Sequence, residues 1–202
     1  MDNYNQLDAV LPNRTELHLR AMRQVEQYSS SLNTISWIWG GFTVDICENR
    51  SLREHDDLDY LTLNLHSLMP EFITLFEEDG WQTILLSNGD LNIKSSGVKI
   101  HLGHVEISGK ARWTHNGDKG SIWFPCECLN PHPKKFCGFE IHVVEPEFQY
   151  VVLERPHMLN PDWQSRQKDI QAQHYLRKYI EAKGIRSESL LKLVSDSYLS
   201  QA

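Results

Sequence analysis

Residues 37–61 read WIWGGFTVDICENRSLREHDDLDYL, and this stretch decides the expected fold. The β-branched and aromatic run over 35–39 predicts a strand. Gly40-Gly41 interrupts that run, and a short helix is expected over 42–48. The stretch therefore begins as a strand, a glycine turn and a helix, which is an arrangement typical of α/β folds.

A second strand is expected over 57–64, and it carries two acids. Side chains two residues apart share a face of a strand, so Asp57 and Asp59 should project side by side. Two such carboxylates repel each other unless a cation lies between them. Hard oxygen ligands suit Mg²⁺, which commonly takes one or two carboxylates together with substrate phosphates. The pair therefore predicts a metal site.

The Gly40-Gly41 turn predicts the other half of a phosphoryl-transfer site. A strand, a glycine turn and a helix present free backbone N–H groups, and such groups bind the anionic oxygens of a triphosphate. A phosphate cradle and metal-binding carboxylates are the two parts that phosphoryl transfer requires. Their combination within 25 residues is more specific than either part alone.

The same stretch resembles the signature of the aminoglycoside and lincosamide nucleotidyltransferases, a family of the polymerase-β-like nucleotidyltransferase superfamily. The segments FCGFEIHVVEPEFQ and SRQKDIQAQHYL show weaker similarity to later parts of that family. The resemblance thus extends from residue 37 to about residue 180. The residues that match the signature are, in chain order, Gly40, Gly41, Phe42, Asp45, Arg50, Arg53, His55, Asp56, Asp57, Leu58 and Asp59.

The resemblance implies an enzyme that moves a nucleoside monophosphate from a nucleoside triphosphate to a hydroxyl of a small molecule. Asp57 and Asp59 would bind Mg²⁺, or Mn²⁺ in its place. The acceptor would be a small hydroxylated compound, of which an aminoglycoside or a lincosamide is an example. Residues that would contact or shape the donor nucleotide pocket are Gly40, Gly41, Arg53, His55 and Lys168.

One position departs from the family pattern, which has a third carboxylate on a later strand. The matching stretch here is 98–101, Val-Lys-Ile-His, so Lys99 stands where the acid is expected. Strand alternation places Lys99 and His101 on the face of the candidate site. Lys99 could neutralise the acid pair and displace the metal, or it could point elsewhere and leave His101 as the base, since histidine titrates near neutrality.

The remaining chain predicts an α/β nucleotidyltransferase fold, a mixed sheet with flanking helices followed by C-terminal helices. We expect a nucleotidyltransferase-like domain over 13–157 and a helical segment packed on it over 158–202. Between Trp81 and Val144 the chain is expected to be mostly β, with turns at Asn88-Gly89, Ser96-Gly97 and Asn116-Gly117. Helices are expected over 13–31, 69–79 (ended by Gly80), 146–154, 161–183 (ended by Gly184) and from Ser187 onward.

The composition of the chain limits which binding partners and which cellular compartment are expected. The formal net charge of -7 argues against nucleic acid as the main partner, because phosphate binding favours a basic surface. No apolar run approaches the roughly 20 residues that span a bilayer, and the N-terminus lacks the features of a secretion signal. A reducing, cytoplasmic setting is therefore expected. The pattern specifies neither the acceptor nor the oligomeric state.

Several residues can be explained by a structural role as well as by a functional one. Asp45 and Arg50 are as well explained by a structural ion pair, and Lys168 by a solvated helix surface. Cys126, Cys128 and Cys137 could bind zinc with His132, but their spacing is not a standard zinc motif, so ordinary thiols are favoured.

Two hypotheses of different class follow. The first is an Mg²⁺-dependent nucleotidyltransferase acting on a small acceptor. The second is a catalytically impaired nucleotidyltransferase-like protein that binds nucleotide or a protein partner. The position of Lys99 relative to Asp57 and Asp59 distinguishes them.

Overall fold

The structure, a computed structural model, describes residues 13–95, 97–114, 121–156 and 162–199. Its helices are α1 (Asn13–Ser31), α2 (Gly41–Cys47), α3 (Leu65–Glu78), α4 (Pro146–Glu154), α5 (Gln167–Lys183) and α6 (Ile185–Leu199). Its strands are β1 (Ser36–Trp39), β2 (Leu58–Leu63), β3 (Gln82–Leu85), β4 (Leu91–Ser95), β5 (Val98–Ser108), β6 (Lys110–Thr114), β7 (Ser121–Phe124), β8 (Lys134–Phe136) and β9 (Phe139–Ile141).

Seven of the described strands form one mixed sheet in the order β1-β2-β5-β4-β3, with β6 and β7 added along the second half of β5. Strands β2 and β5 are parallel, and the other paired neighbours are antiparallel. The long strand β5 pairs with β4 at its start and with β6 at its end. Strands β8 and β9 form a separate hairpin.

Helices cover both faces of this sheet. On one face, α1 and α3 bury their apolar sides against β1, β2, β4 and the first half of β5. On the other face, α4, α5 and α6 pack over residues that include Trp37, Leu61 and Trp113. Asp59 alternates with the buried Leu58 and Tyr60, so it faces the side of α4 and α5. The expected α/β fold with a mixed sheet and flanking helices is thus confirmed.

Most expected helices and strands are present. Helices α1 and α4 have the expected bounds, and α3 ends just before Gly80, whose φ is +79°. Three expected positions, Ser96, the Asn116-Gly117 turn and the 157–161 boundary, lie outside the described residues. The division at 157 therefore remains a prediction.

The starts of the last two helices differ from expectation. Helix α5 begins at Gln167 rather than at Pro161, because the Asp169 carboxylate accepts hydrogen bonds from the backbone N–H and Nε of Arg166, 3.0 and 2.9 Å away. Helix α6 begins at Ile185, and Ser187 is not its cap, since the Ser187 hydroxyl hydrogen-bonds to Glu147 on α4. Within the described residues, no helix combines the length and apolarity needed to cross a bilayer.

Candidate active site

A cavity of about 310 Å³ opens where β1, β2 and β5 meet helices α2, α4 and α5. It brings together every residue that the sequence assigned to a metal, nucleotide or catalytic role. The residues that line it are Trp39, Gly40, Gly41, Arg53, His55, Asp56, Asp57, Asp59, His101, Gln149, Val152, Leu153, Trp163, Arg166, Lys168, Asp169 and Ala172.

Gly40 lies at the bend between β1 and α2, directly beside Asp59. Its φ of +74° is a left-handed conformation that side chains rarely adopt. A Cβ at this position would lie only 2.9 Å from Asp59 Oδ2. The Gly40 N–H donates to Gln149 Oε1 on α4, 2.7 Å away. The turn needs glycine both for its backbone conformation and for its approach to the carboxylate.

Gly41 makes room for two side chains of the following loop. A Cβ on Gly41 would lie 2.7 Å from His55 Nδ1 and closer still to Arg53 Nη2. His55 is buried, stacks on Phe42 with ring centroids 3.7 Å apart, and hydrogen-bonds through Nε2 to Asp45 Oδ2 at 3.0 Å. Gly41 thus packs closely against the loop that carries Arg53 and His55.

Of the two interpretations of Asp45 and Arg50, the structural ion pair between them is wrong. The Asp45 carboxylate, which is buried, accepts hydrogen bonds from His55 and from the Leu52 N–H. Arg50 is exposed and has Glu48 as its ion-pair partner, with 3.8 Å between Nη2 and Oε2. The chain turns back between the helix and β2, so it presents His55, not Arg50, to the buried acid.

The two candidate metal ligands differ in exposure. Asp59 lies on β2 with 29% of its side chain exposed, whereas Asp57 precedes the strand and is exposed. Burial, followed by the charge of Asp57, raises the pKa of Asp59. The neighbouring Asp56 is directed to two cations, Arg14 at 3.3 Å and Lys168 at 3.9 Å. Asp56 also lines the cavity, but it is paired with these cations, so Asp57 and Asp59 are left as the neighbouring acids with no Arg or Lys ion-pair partner among the described residues.

His101 lies opposite Asp59 in the parallel pairing of β2 with β5. Its Nδ1 is 3.8 Å from Asp59 Oδ1, and its Nε2 is 3.2 Å from Oδ2 of the buried Asp90. Burial alone would lower the pKa of His101, but the hydrogen bond to Asp90 and the charges of Asp59 and Asp90 outweigh it and raise that pKa. The imidazole is thus held between two carboxylates at the wall of the cavity.

Lys99 does not reach the acid pair. It is exposed, lies opposite Lys94 on β4, and is not among the residues that line the cavity. Among the described residues it forms no ion pair with Asp57 or Asp59. Because β2 and β5 run parallel with Asp59 opposite His101, the histidine occupies the position beside the acids. The geometry fits the second alternative for Lys99, not the self-neutralised site.

The rim of the cavity on α5 is basic. Arg166 stacks over the Trp163 ring at 5.3 Å and is held by two contacts to Asp169. Lys168 follows in the first turn of α5 and keeps 35% of its side chain exposed. Lys168 lines the cavity, but part of its side chain also contacts water. It therefore fits neither the solvated-surface interpretation alone nor the nucleotide-ligand interpretation alone.

Four further residues of this site have no assigned role in the predictions from sequence. Gln149 accepts the Gly40 N–H, Asp90 hydrogen-bonds to His101, and Trp163 and Arg166 line the cavity. The Asn88-Gly89 pattern predicts a turn, but nothing in it indicates that the acid after the turn points inward. For Arg166 the available signal is the segment SRQKDIQAQHYL, whose Arg-x-Lys-Asp pattern resembles the start of a helix in the family.

The cysteines form no metal centre in the described part of the chain, where no group of three or more His, Cys, Asp or Glu side chains is arranged to hold a metal ion. Cys126 and Cys128 lie in a short 3-10 helix after β7, not on the expected strand. Cys128 is buried and Cys137 is exposed, and both are free thiols. The interpretation of these cysteines as ordinary thiols stays a prediction.

A second, larger cavity of about 540 Å³ lies at the N-terminal end of α4. Its charged groups bind one another: Lys183 Nζ is 3.1 Å from Glu145 and 3.7 Å from Glu147, and Lys134 Nζ is 3.7 Å from Glu145. These contacts join α5 and β8 to α4, so we assign the network a structural role.

Solved structures similar to this chain include two structures of an antibiotic-resistance factor and one of a lincosamide antibiotic adenylyltransferase. The antibiotic-resistance factor ANT(2'')-Ia matches in its solution structure with 14% identity and a TM-score of 0.67, covering 92% of this chain and 93% of that one. A crystal structure of ANT(2'')-Ia in complex with adenylyl-2''-tobramycin matches with 15% identity and a TM-score of 0.65, covering 90% and 99%. The lincomycin-bound lincosamide adenylyltransferase LnuA matches with 16% identity and a TM-score of 0.62, covering 83% and 99%.

Sequence comparison agrees with the resemblance seen in residues 37–61. No curated protein matches the chain. The sequence profile of the aminoglycoside-2''-adenylyltransferases, however, matches residues 21–171, which is well over half of the chain and includes the whole acid and glycine site. The chain therefore belongs to the aminoglycoside-2''-adenylyltransferase family.

Proposed function

We propose that this protein transfers a nucleoside monophosphate from a nucleoside triphosphate to a hydroxyl group of a small acceptor. The observation that carries the proposal is the acid pair of Asp57 and Asp59, which meets the Gly40-Gly41 turn in one cavity. Carboxylates for a divalent ion and an uncrowded backbone for phosphate are the two parts that the reaction needs.

The acid pair suits Mg²⁺ or Mn²⁺. Burial of Asp59 beside Asp57 disfavours the doubly ionised state, and a divalent ion between the carboxylates would relieve that repulsion. The described residues supply no third side chain already arranged as a ligand, so phosphate oxygens and water would complete the coordination. A coordination shell made of one or two protein carboxylates, phosphate oxygens and water is typical of Mg²⁺ in nucleotide enzymes. The ion would neutralise charge at the reacting phosphorus.

The donor nucleotide would lie along the glycine turn and the basic rim. Gly40 and Gly41 let the phosphates approach the backbone closely, since neither adds a Cβ at this wall. Arg53 and Lys168 place positive charge on two sides of the cavity. His55 would stabilise the wall of this pocket, because it stacks on Phe42 and its hydrogen bond to Asp45 fixes the loop between α2 and β2.

His101 would accept the proton of the acceptor hydroxyl. It lines the cavity next to Asp59, and an imidazole is suited to proton transfer near neutral pH. The acceptor hydroxyl would then enter between His101 and the metal-binding carboxylates. An aminoglycoside or a lincosamide is the first class to test, because the family profile and the neighbouring structures concern adenylyltransferases of these antibiotics.

The rival hypothesis of an impaired, nucleotide-binding protein rested on Lys99. Lys99 lies outside the cavity and forms no ion pair with Asp57 or Asp59 among the described residues, so the neutralised acid pair on which that rival depended is not seen there. The reaction proposed above remains the one that the arrangement supports best.

The test is a transfer assay with the full chain. Labelled ATP, CTP, GTP and UTP are each incubated with Mg²⁺ or Mn²⁺ and a panel of aminoglycosides and lincosamides. The acid pair is probed by Asp57→Asn, and the matched control is Asp196→Asn, which changes the charge of an exposed acid on α6 that does not line the cavity. We expect transfer by the wild type and the control, and loss of transfer in Asp57→Asn. Equal activity in both variants, or no transfer under any condition, would refute the proposal.

A further inference from the structure

We propose that Asp90 is a positioning residue for His101: it accepts the Nε2–H of the neutral imidazole and thereby leaves Nδ1 as the proton acceptor that faces Asp59. The inference rests on the proposed function for its catalytic meaning. Its structural content, a fixed tautomer of one histidine, can be measured without any substrate.

Asp90 is held rigidly. It is 1% exposed and follows the Asn88-Gly89 turn between β3 and β4. Its Oδ1 accepts the backbone N–H of His104 at 3.1 Å, and its Oδ2 accepts the side-chain amide of Asn88 at 2.6 Å. The Asp90 carbonyl oxygen also accepts the Leu86 N–H at 2.9 Å. The position of the Asp90 carboxylate is therefore fixed by contacts that do not involve His101.

The ring of His101 lies between two acids at unequal distances. Nε2 is 3.2 Å from Asp90 Oδ2, which is hydrogen-bond distance, whereas Nδ1 is 3.8 Å from Asp59 Oδ1, which is not. A carboxylate can only accept a hydrogen bond, so the proton of a neutral His101 belongs on Nε2. The lone pair of Nδ1 is then directed to the cavity side, where the acceptor hydroxyl would lie.

The burial of the Asp90 carboxylate supports its role as a partner of His101. Burying a charge is unfavourable unless hydrogen bonds compensate it. Carboxylates that accept the second ring N–H of a functional histidine fix both its orientation and its tautomer. Asp90 Oδ1 accepts the His104 N–H, and Oδ2 faces both the Asn88 amide and His101 Nε2, so both carboxylate oxygens act as acceptors.

The substitution Asp90→Asn separates positioning from folding. It keeps the shape of the side chain and an oxygen for the His104 N–H, but its amide donor faces Nε2 of His101 and also the side-chain amide of Asn88. A donor there favours the opposite tautomer, with the proton on Nδ1. The variant should therefore fold and yet present the wrong nitrogen to the cavity.

The experiment is nuclear magnetic resonance of the full chain labelled with ¹⁵N in histidine, recorded in metal-free buffer at alkaline pH. His101→Gln identifies the His101 signals. In the wild type we expect His101 as the Nε2–H tautomer, and in Asp90→Asn a shift to the Nδ1–H tautomer. His142, whose ring contacts Glu26 and a backbone carbonyl far along the chain from Asp90, is the internal control and should not change.

Activity provides the second readout. Asp90→Asn should lower kcat by roughly 10–100-fold with little change in KM for the nucleotide, as is typical for removing the partner of a functional histidine. An Nδ1–H tautomer in the wild type, or an unchanged tautomer in the variant, would overturn the inference whatever the activity. A correct tautomer in a wild type that shows no transfer would instead refute the proposed function and leave the Asp90–His101 pairing standing.

Discussion

Replacing Asp59 by asparagine should stabilise the metal-free protein at alkaline pH. Burial and the charge of Asp57 raise the pKa of Asp59 to about 7. In the unfolded chain the same group titrates near 4. Between these values the native state binds more protons than the unfolded state, so the free energy of unfolding falls as the pH rises from about 4 to about 7. Asparagine does not titrate, so the Asp59→Asn variant should not show this fall in the free energy of unfolding.

The magnitude follows from the pKa and the exposure of Asp59. One pH unit corresponds to about 1.4 kcal/mol, so ionising Asp59 in the native state would cost at most about 4 kcal/mol. The side chain keeps 29% of its surface in contact with water, and Asp57 shares part of the repulsion. We therefore expect Asp59→Asn to raise the free energy of unfolding by about 1–2 kcal/mol at pH 8, and the Tm by roughly 2–8 °C.

The assay is thermal and urea unfolding in the presence of a chelator at pH 4.5 and pH 8. The stabilisation should be present at pH 8 and largely absent at pH 4.5, where Asp59 of the wild type is protonated in the native state. Asp56→Asn is the matched control, because Asp56 is exposed and its two ion pairs lie at the surface. Such pairs contribute about 0–1 kcal/mol, so this variant should be neutral or slightly less stable.

Two results would refute the reasoning. A lower stability of Asp59→Asn than of the wild type at pH 8 would mean that Asp59 is already compensated by its neighbours. Equal stabilisation at both pH values would mean that the effect has nothing to do with ionisation. Saturating Mg²⁺ gives a further check, since it should stabilise the wild type at pH 8 and have little effect on Asp59→Asn.

Three further predictions concern single residues of the site. Asp57→Asn should abolish Mg²⁺-dependent nucleotide binding in calorimetric titration, and unchanged binding would remove Asp57 from the metal site. Gly41→Val should weaken nucleotide binding at least 10-fold and also destabilise the fold by roughly 1–3 kcal/mol, because its side chain would collide with His55 and Arg53. Lys99→Asp should leave Mg²⁺ affinity unchanged in the same titration, whereas an increase would show that Lys99 does reach the acids.

Much of the site could be predicted from sequence because its residues are close together in the chain. Asp57 and Asp59, at the start of β2, and Gly40 and Gly41, at the start of α2, are separated by fewer than 20 residues. The two-residue spacing of the acids is enough to predict that they lie together. Helices with clear apolar periodicity or a proline start, such as α1 and α4, were predicted with their observed bounds. Helix α5 was not, since its start depends on the contact between Arg166 and Asp169.

Local pattern and spacing are enough to specify the family, the α/β class, and the acids and glycines of the site. Which residue of β5 lies beside the acids depends on tertiary structure. A shift of two residues along β5 exchanges Lys99 for His101, and only the pairing of β5 with β2 sets that register. The contacts of Asp90 with His101 and of Gln149 with Gly40 likewise join residues from different strands and helices. Their proximity is produced by packing of the sheet and α4, which local pattern does not encode.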